Sequence, residues 1–247
     1  NKNENFINFR ASYNQEIEAL INYLSKQKKL NKVAVFYQND DYGEEGYISL
    51  LQALKNKDIK LVAEGSYKRN TLSISHAFNE IKDANPQVIF MIGAYKTNSL
   101  FIKKAKENEN LKDTIFCNIS FGDANSMIKE LEKLDTNTQN LIFSQVVPSY
   151  INSDIPVVFE YQNLMKKYYP NEELGFLSLE AFLSSKVLVN AISRIQGDIT
   201  REKFIYMLKT TPTNLLEGIN IKFENSQLLN NVYLFEYKNN QFLELKN

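Results

Sequence analysis

Residues that reactive chemistry depends on are scarce in this chain of 247 residues. It has one cysteine and one histidine. A lone Cys117 excludes an intrachain disulfide, and its place at the end of the apolar run 114–117 reads as a small buried hydrophobe; cysteine usage therefore leaves the compartment open. A lone His76 excludes a histidine-rich metal site. It also argues against a Ser–His–Asp triad, because it sits among Ser73, Ser75 and Asn79 on a helical stretch away from any strand end. An excess of one charge is missing as well. The 29 basic residues equal the 29 acidic ones, and no basic stripe interleaves with aromatics, so nucleic acid is not an expected partner. No run approaches the ~18 consecutive apolar residues of a membrane helix. No signal-peptide core is present, although the chain starts at Asn1 rather than methionine, which leaves that absence uninformative. Glycines are few where a nucleotide would need them. Gly43-Glu44-Glu45-Gly46 lacks the three-glycine spacing of a dinucleotide fingerprint, two acids stand where a pyrophosphate would sit, and no Walker loop occurs. Asp40, Asp41, Glu44 and Glu45 could hold a divalent cation, but acids in that place more often favour a helix N-terminus. No cofactor and no resident metal are expected.

What is present is a regular alternation centred on residues 32–46, KVAVFYQNDDYGEEG. Val33, Ala34, Val35 and Phe36 are apolar on both faces, as in a parallel strand covered on both sides. An acidic turn and a helix follow, with Tyr47, Leu50, Leu51 and Leu54 as the apolar stripe. Before it, Ser12 can cap a helix with Gln15 as capping-box partner; Ile17, Leu20, Ile21 and Leu24 recur at helical spacing, and residues 26–29 are basic enough for its C-terminus. Residues 1–5 are polar. After it come a strand at 59–63, a helix at 73–84 with Ile74, Phe78 and Ile81 on one face, and a fully apolar strand at 88–92. A helix with Leu100, Phe101 and Lys104, a strand at 114–117, a helix at 125–134 and a strand at 141–147 complete the series. This predicts an α/β fold with a doubly wound parallel sheet, whose ligands bind at the carboxyl ends of the strands.

After Pro148 the alternation stops. Residues 154–169, with Pro156 in the first turn, residues 174–195, and a segment capped by Thr200 read as three helices without strands between them. Leu179, Phe182, Leu183, Val187, Leu188 and Ile192 are the expected core positions of the second. Strand patterning returns at 216–223, 232–237 and 242–245, with Asn239-Asn240 as a hairpin turn. The domains expected are residues 11–144 as one α/β lobe, 145–213 as helices of a second, incomplete lobe, and 214–247 as a returning β segment. A compact single domain with the helices on the sheet's edge is the alternative.

Four phrases, in order, resemble the type I periplasmic binding proteins, specifically the leucine/isoleucine/valine-binding-like receptors of ABC importers. Residues 9–16, FRASYNQE, look like the family's first crossing between lobes; residues 39–46, NDDYGEEG, like its acidic Tyr-Gly turn; residues 144–148, SQVVP, like the second crossing; and residues 178–183, SLEAFL, like the long helix of the other lobe. The resemblance covers nearly the whole chain, but the βα units that open the amino-terminal lobe of that family have no counterpart, so half the ligand cleft is expected to be absent.

The resemblance implies a non-enzymatic receptor that closes two lobes on a small ligand by hinge bending, an extracytoplasmic (periplasmic) location, a monomer, and an ABC permease as partner. It places a ligand-facing tyrosine at Tyr42, where a phenol offers both an apolar wall and a hydrogen bond; packing of the turn is the alternative role. A second tyrosine falls at Tyr95, in register to within one residue of Ala94. At the fourth strand end, amino-acid binders carry a glutamate for the ligand ammonium, and here Ile119 holds that position. Asn118, Ser120 and Phe121 therefore suggest a polar uncharged or aromatic contact, with Asp123 better suited to capping the next helix. Ser66, Tyr67 and Asn70 are expected in a surface loop after the second strand. Arg10 and Gln145 flank the hinges. The ligand expected is a small polar or aromatic solute. A sensor module of a signalling receptor and a small α/β enzyme are the competing readings, the latter without an evident nucleophile–base pair.

Overall fold

The computed structural model describes residues 6–27, 30–152 and 154–246; the polar residues 1–5 and the last part of the basic stretch, Lys28 and Lys29, lie outside the described residues. In order, the chain forms α1 (Tyr13–Gln27), β1 (Lys32–Asn39), α2 (Asp41–Lys55), β2 (Lys60–Lys68), α3 (Ser75–Lys82), β3 (Val88–Ile92) and α4 (Tyr95–Lys106). Next come β4 (Ile115–Asn118), a 3-10 turn (Ser120–Gly122), α5 (Ala124–Lys133), β5 (Leu141–Gln145), α6 (Pro156–Tyr168), α7 (Phe176–Ser193), α8 (Arg201–Lys209), β6 (Tyr233–Lys238) and β7 (Gln241–Glu244). Two compact units result. One comprises Tyr13–Gln145 with Val232–Asn247; the other comprises Val146–Asn231 and the residues up to Ser12.

The first unit holds a single sheet in the order β2-β1-β3-β4-β5-β6-β7. β1 to β5 pair in parallel, whereas β5–β6 and β6–β7 are antiparallel. The chain steps outward from β1 to β2 and then returns past β1 to β3. Right-handed crossovers send α2 to one face for the first step and α3, α4 and α5 to the other for the steps in the opposite direction. α1 packs beside α2, and α4 beside α3 and α5.

The sheet is buried on both faces, which is why its strands read as continuous apolar runs. Ile17, Leu20, Ile21 and Leu24 of α1, with Leu50, Ala53 and Leu54 of α2, cover Val33, Val35, Phe90, Ile92 and Cys117. On the opposite face Phe36 stacks on Phe101 at 4.4 Å and on Tyr67 at 5.1 Å between ring centroids. Cys117 is fully buried and burial pushes its thiol pKa up, so it stays a neutral packing group. The antiparallel hairpin closes through Asn239 and Asn240, whose φ angles of 54° and 60° match the two left-handed positions of a type I′ turn.

Several expectations need correction. β2 continues to Lys68, so Ser66 and Tyr67 lie in a strand, with Tyr67 buried, and only Asn70 lies in the following turn, at a φ of 60°. Leu51 is exposed rather than part of the α2 stripe. The strand expected at 216–223 is instead a chain of turns with isolated bridges, Leu216 to Ile219 and Glu224 to Gln227. The cause is local: Gly218 takes a φ of 90°, which an extended strand cannot accommodate, and Asn225 and Ser226, at 51° and 63°, turn the chain just beyond it.

In the second unit Pro156 opens α6, and Thr200 caps α8 by accepting the Lys203 amide at 3.3 Å. α7 buries Phe176, Leu179, Leu183, Val187 and Ala191 along one stripe. Leu188 and Ile192, expected in the core, are 45% and 41% exposed. α7 is long and apolar enough by length and composition to cross a membrane, but its Glu180 and Lys186 are engaged in ion pairs with Arg10 and Glu160 of the same unit.

Candidate functional site

The order of strands puts the topological switch point between β1 and β3, and ligands of open α/β sheets bind outside the carboxyl ends of the strands there. Three segments meet at that edge: the turn into α2, the turn from β3 into α4, and the 3-10 turn after β4.

The first is a tight strand-to-helix turn. Asp40 caps α2, its Oδ1 accepting the Gly43 amide at 3.2 Å, and its Oδ2 accepts from Gln38 Nε2 at 2.6 Å. The acids of this turn thus include a helix cap. A Cβ on Gly43 would lie 1.7 Å from the Gln38 carbonyl oxygen, so only glycine permits the helix to start this close to its strand. A buried polar chain continues sideways: the Tyr67 hydroxyl donates to Gln38 Oε1 at 3.2 Å and accepts the Ala94 amide at 2.9 Å. Burial, ahead of its other interactions, raises the Tyr67 pKa and keeps it a neutral phenol. Through this residue β1, β2 and the start of α4 are fixed to one another.

On that base stands an aromatic cluster. Tyr42 packs against Tyr13 of α1 at 5.2 Å, edge-on, and against Phe121 at 4.7 Å; Tyr13 and Phe121 are 6.3 Å apart. Phe121 is 58% exposed. The turn bearing it is held from beneath by Glu16, a fully buried carboxylate. Glu16 Oε2 accepts the Ser120 amide at 2.8 Å and the Ser144 hydroxyl at 2.7 Å, and Oε1 accepts the Ser120 hydroxyl at 2.9 Å. Asp123 follows at a φ of 55° and caps α5 through the Ser126 amide at 3.2 Å, the capping role its position favoured.

Of the residues singled out from sequence, Tyr42 and Phe121 are therefore in contact, and Tyr95 opens α4 at the same edge, half-exposed. Asn118 is buried under the turn, and Ser120, its first residue, is buried as well. Ile119, where the resemblance would place a carboxylate, is 1% exposed and belongs to the core beneath α1 and α2. Gln145, the last residue of β5, pairs with Tyr233 of β6. Arg10 lies in the other unit, 3.6 Å from Glu180 and donating through Nε to the Ala11 carbonyl at 3.3 Å. His76 is exposed on α3 beside Glu80. No cluster of three acids, histidines or cysteines able to hold a metal occurs among the described residues.

Two contributors escaped the sequence reading, Tyr13 and Glu16. The signal for Glu16 was available: it falls on the same helical stripe as Ile17, Leu20 and Leu24, and an acid on an apolar stripe needs a buried partner.

Comparison with known proteins places these features in context. A family model described as Periplasmic binding protein matches residues 1–241. Among solved structures, a possible leucine/isoleucine/valine-binding protein from Rhodopirellula baltica SH 1 is 27% identical with a TM-score of 0.87, covering 97% of this chain and 66% of that one. A substrate-binding periplasmic protein from Ralstonia solanacearum is 24% identical with a TM-score of 0.84, covering 96% of this chain and 67% of that one. Among curated proteins, a Leu/Ile/Val-binding protein homolog 7 from Brucella suis is 22% identical over 176 residues, 70% of this chain and 43% of that protein. The chain thus spans about two thirds of the solved relatives' length, and its match to the curated one spans less than half of it.

Proposed function

The chain belongs to the periplasmic binding protein family, and we propose that it serves as the solute receptor of an ABC importer, binding rather than transforming a small ligand outside the cytoplasm. The observation that carries this reading is the Tyr42–Tyr13–Phe121 cluster at the carboxyl edge of the sheet, with Phe121 presenting its ring to solvent. Tyr95 adds a half-exposed phenol at the same edge, the Tyr42 hydroxyl is buried so that Tyr42 contributes its ring, and Asn118 and Ser120 support the wall from beneath. The ligand group meeting this wall is aromatic or polar and uncharged. Ile119 offers no carboxylate for an ammonium, and both oxygens of Glu16 are occupied by donors from Ser120 and Ser144. Free leucine-like amino acids, after which the relatives are named, are on this reading poorer ligands than aromatic acids.

Tyr13–Gln145, with the returning hairpin β6–β7 of Val232–Asn247, act as the lobe bearing this wall, and the helices of Val146–Asn231 belong to a second lobe. α7 supports that assignment. Besides its buried stripe it carries Leu177, Ala181, Leu188 and Ile192 on a second, exposed stripe free of charge, the pattern of a helix covered on two sides. Arg10 and Gln145 lie near two of the three points where the chain passes between the units and act in the hinge.

Thermal-shift screening of the full-length gene product against amino acids, aromatic acids and short peptides tests the reading. Stabilisation by an aromatic or polar solute without turnover is the expected result; turnover of a panel compound, or no shift with any of them, overturns it.

A further inference from the structure

We propose that Glu16 is the positioning residue of the ligand wall: its buried carboxylate fixes the 3-10 turn after β4 so that Phe121 is held against Tyr42. The proposal rests on the reading that Tyr42 and Phe121 form that wall. Tyr13 and Glu16 are three residues apart on α1 and so project from the same helical face. That face grips two consecutive residues of the turn. The Tyr13 ring meets Phe121, and the Glu16 carboxylate takes both the amide and the hydroxyl of Ser120. The same carboxylate takes the hydroxyl of Ser144, one residue before the end of β5.

A carboxylate removed from water is tolerated only where donors replace its lost hydration, and three well-placed donors do so here. The arrangement also costs the turn its freedom. A residue whose amide and hydroxyl are both bound to one buried group cannot rotate, and the adjacent Phe121 inherits that orientation. Tyr13 and Gln145 are the residues at which this unit begins and at which its main segment ends. Glu16 therefore joins the wall to the parts of the chain nearest two of the three linking points. Its role is to set geometry; it does not touch the ligand, because its oxygens are occupied and its side chain is fully buried.

The test needs no ligand, so its failure is distinct from failure of the receptor assignment. Amide hydrogen exchange and ring-to-ring nuclear Overhauser contacts are measured on the free protein and on Glu16→Gln and Glu16→Ala. In the wild type the Ser120 amide is protected and Phe121–Tyr42 contacts are present. In Glu16→Ala the Ser120 amide exchanges faster by about tenfold or more and the ring contacts disappear, while the Phe90 amide in β3 keeps its protection. Glu16→Gln, which retains a carbonyl acceptor and a donor of the same shape, restores the ring contacts. Unchanged Ser120 exchange and ring contacts in Glu16→Ala overturn the proposal, as does equal loss of protection at Phe90, which would make Glu16 a residue of the general core. Should Glu16→Ala fail to fold, Ser120→Ala decides: weakened Phe121–Tyr42 contacts support the proposal, and intact ones contradict it.

Discussion

The two units of this chain treat their helices differently. In the sheet unit each of the flanking helices has one apolar stripe, and a strand layer covers it: Leu20 and Leu24 of α1, Leu50 and Leu54 of α2, and Phe101 of α4 are all buried. In the helical unit α7 has two apolar stripes and buries one, leaving Leu177 and Leu188 at 62% and 45% exposure. The sheet unit also contains the polar clamps that hold functional loops, at Asp40, Tyr67 and Glu16. The difference teaches where specification lies. A unit whose main helical stripes are covered can carry a defined, partly exposed aromatic wall, because the wall's position is set from below.

Substitutions can break or sharpen this contrast. The largest effect is expected for Phe90→Ala in β3, where a fully buried ring is lost from the centre of the sheet: about 3–5 kcal/mol of stability, read by chemical denaturation. Asp123→Ala comes next. It removes the α5 cap and leaves a non-glycine residue at a left-handed φ, for a cost of about 1–2 kcal/mol by the same assay.

A smaller, pH-dependent effect belongs to the edge of the sheet. The hydrogen bond from Tyr47 to Glu64, then burial, pushes the Tyr47 pKa up to about 12. The folded chain holds this phenolic proton more tightly than the unfolded chain, so the contribution is present below pH ~10 and fades as the pH rises toward the folded value. Glu64→Gln should bring the Tyr47 titration, followed by ultraviolet absorbance, back toward the ordinary tyrosine range. The smallest effect is expected for Leu188→Ala on the outward stripe of α7, within about 0.5 kcal/mol in this chain. A cost comparable to that at Phe90 would show that the outward stripe of α7 is packed as tightly as the centre of the sheet.

Much of the sheet was legible because its physics is local. Val33–Phe36 and Val88–Ile92 are apolar throughout because both faces are covered, and the Asn239-Asn240 turn declares its left-handed backbone in its side chains. The tail at 216–223 differs for the opposite reason: its alternation imitates a strand, but Gly218 bends the chain out of extension. Leu188 and Ile192 have core spacing, yet spacing alone cannot say whether the layer that would cover them is in the same chain. At the candidate site, Tyr42 and Phe121 stood out individually, whereas their contact depends on Glu16, whose partners Ser120 and Ser144 lie 104 and 128 residues away. Such long-range polar bonds leave no periodic trace.

The central claim is that the aromatic wall at Tyr42 carries ligand recognition. Calorimetric titration of the full-length gene product and of its Tyr42→Ala variant with the strongest solute from the thermal-shift panel tests it most directly. The account predicts saturable binding by the wild type and a Kd weaker by about tenfold or more in the variant; an unchanged Kd in a folded Tyr42→Ala protein would contradict it.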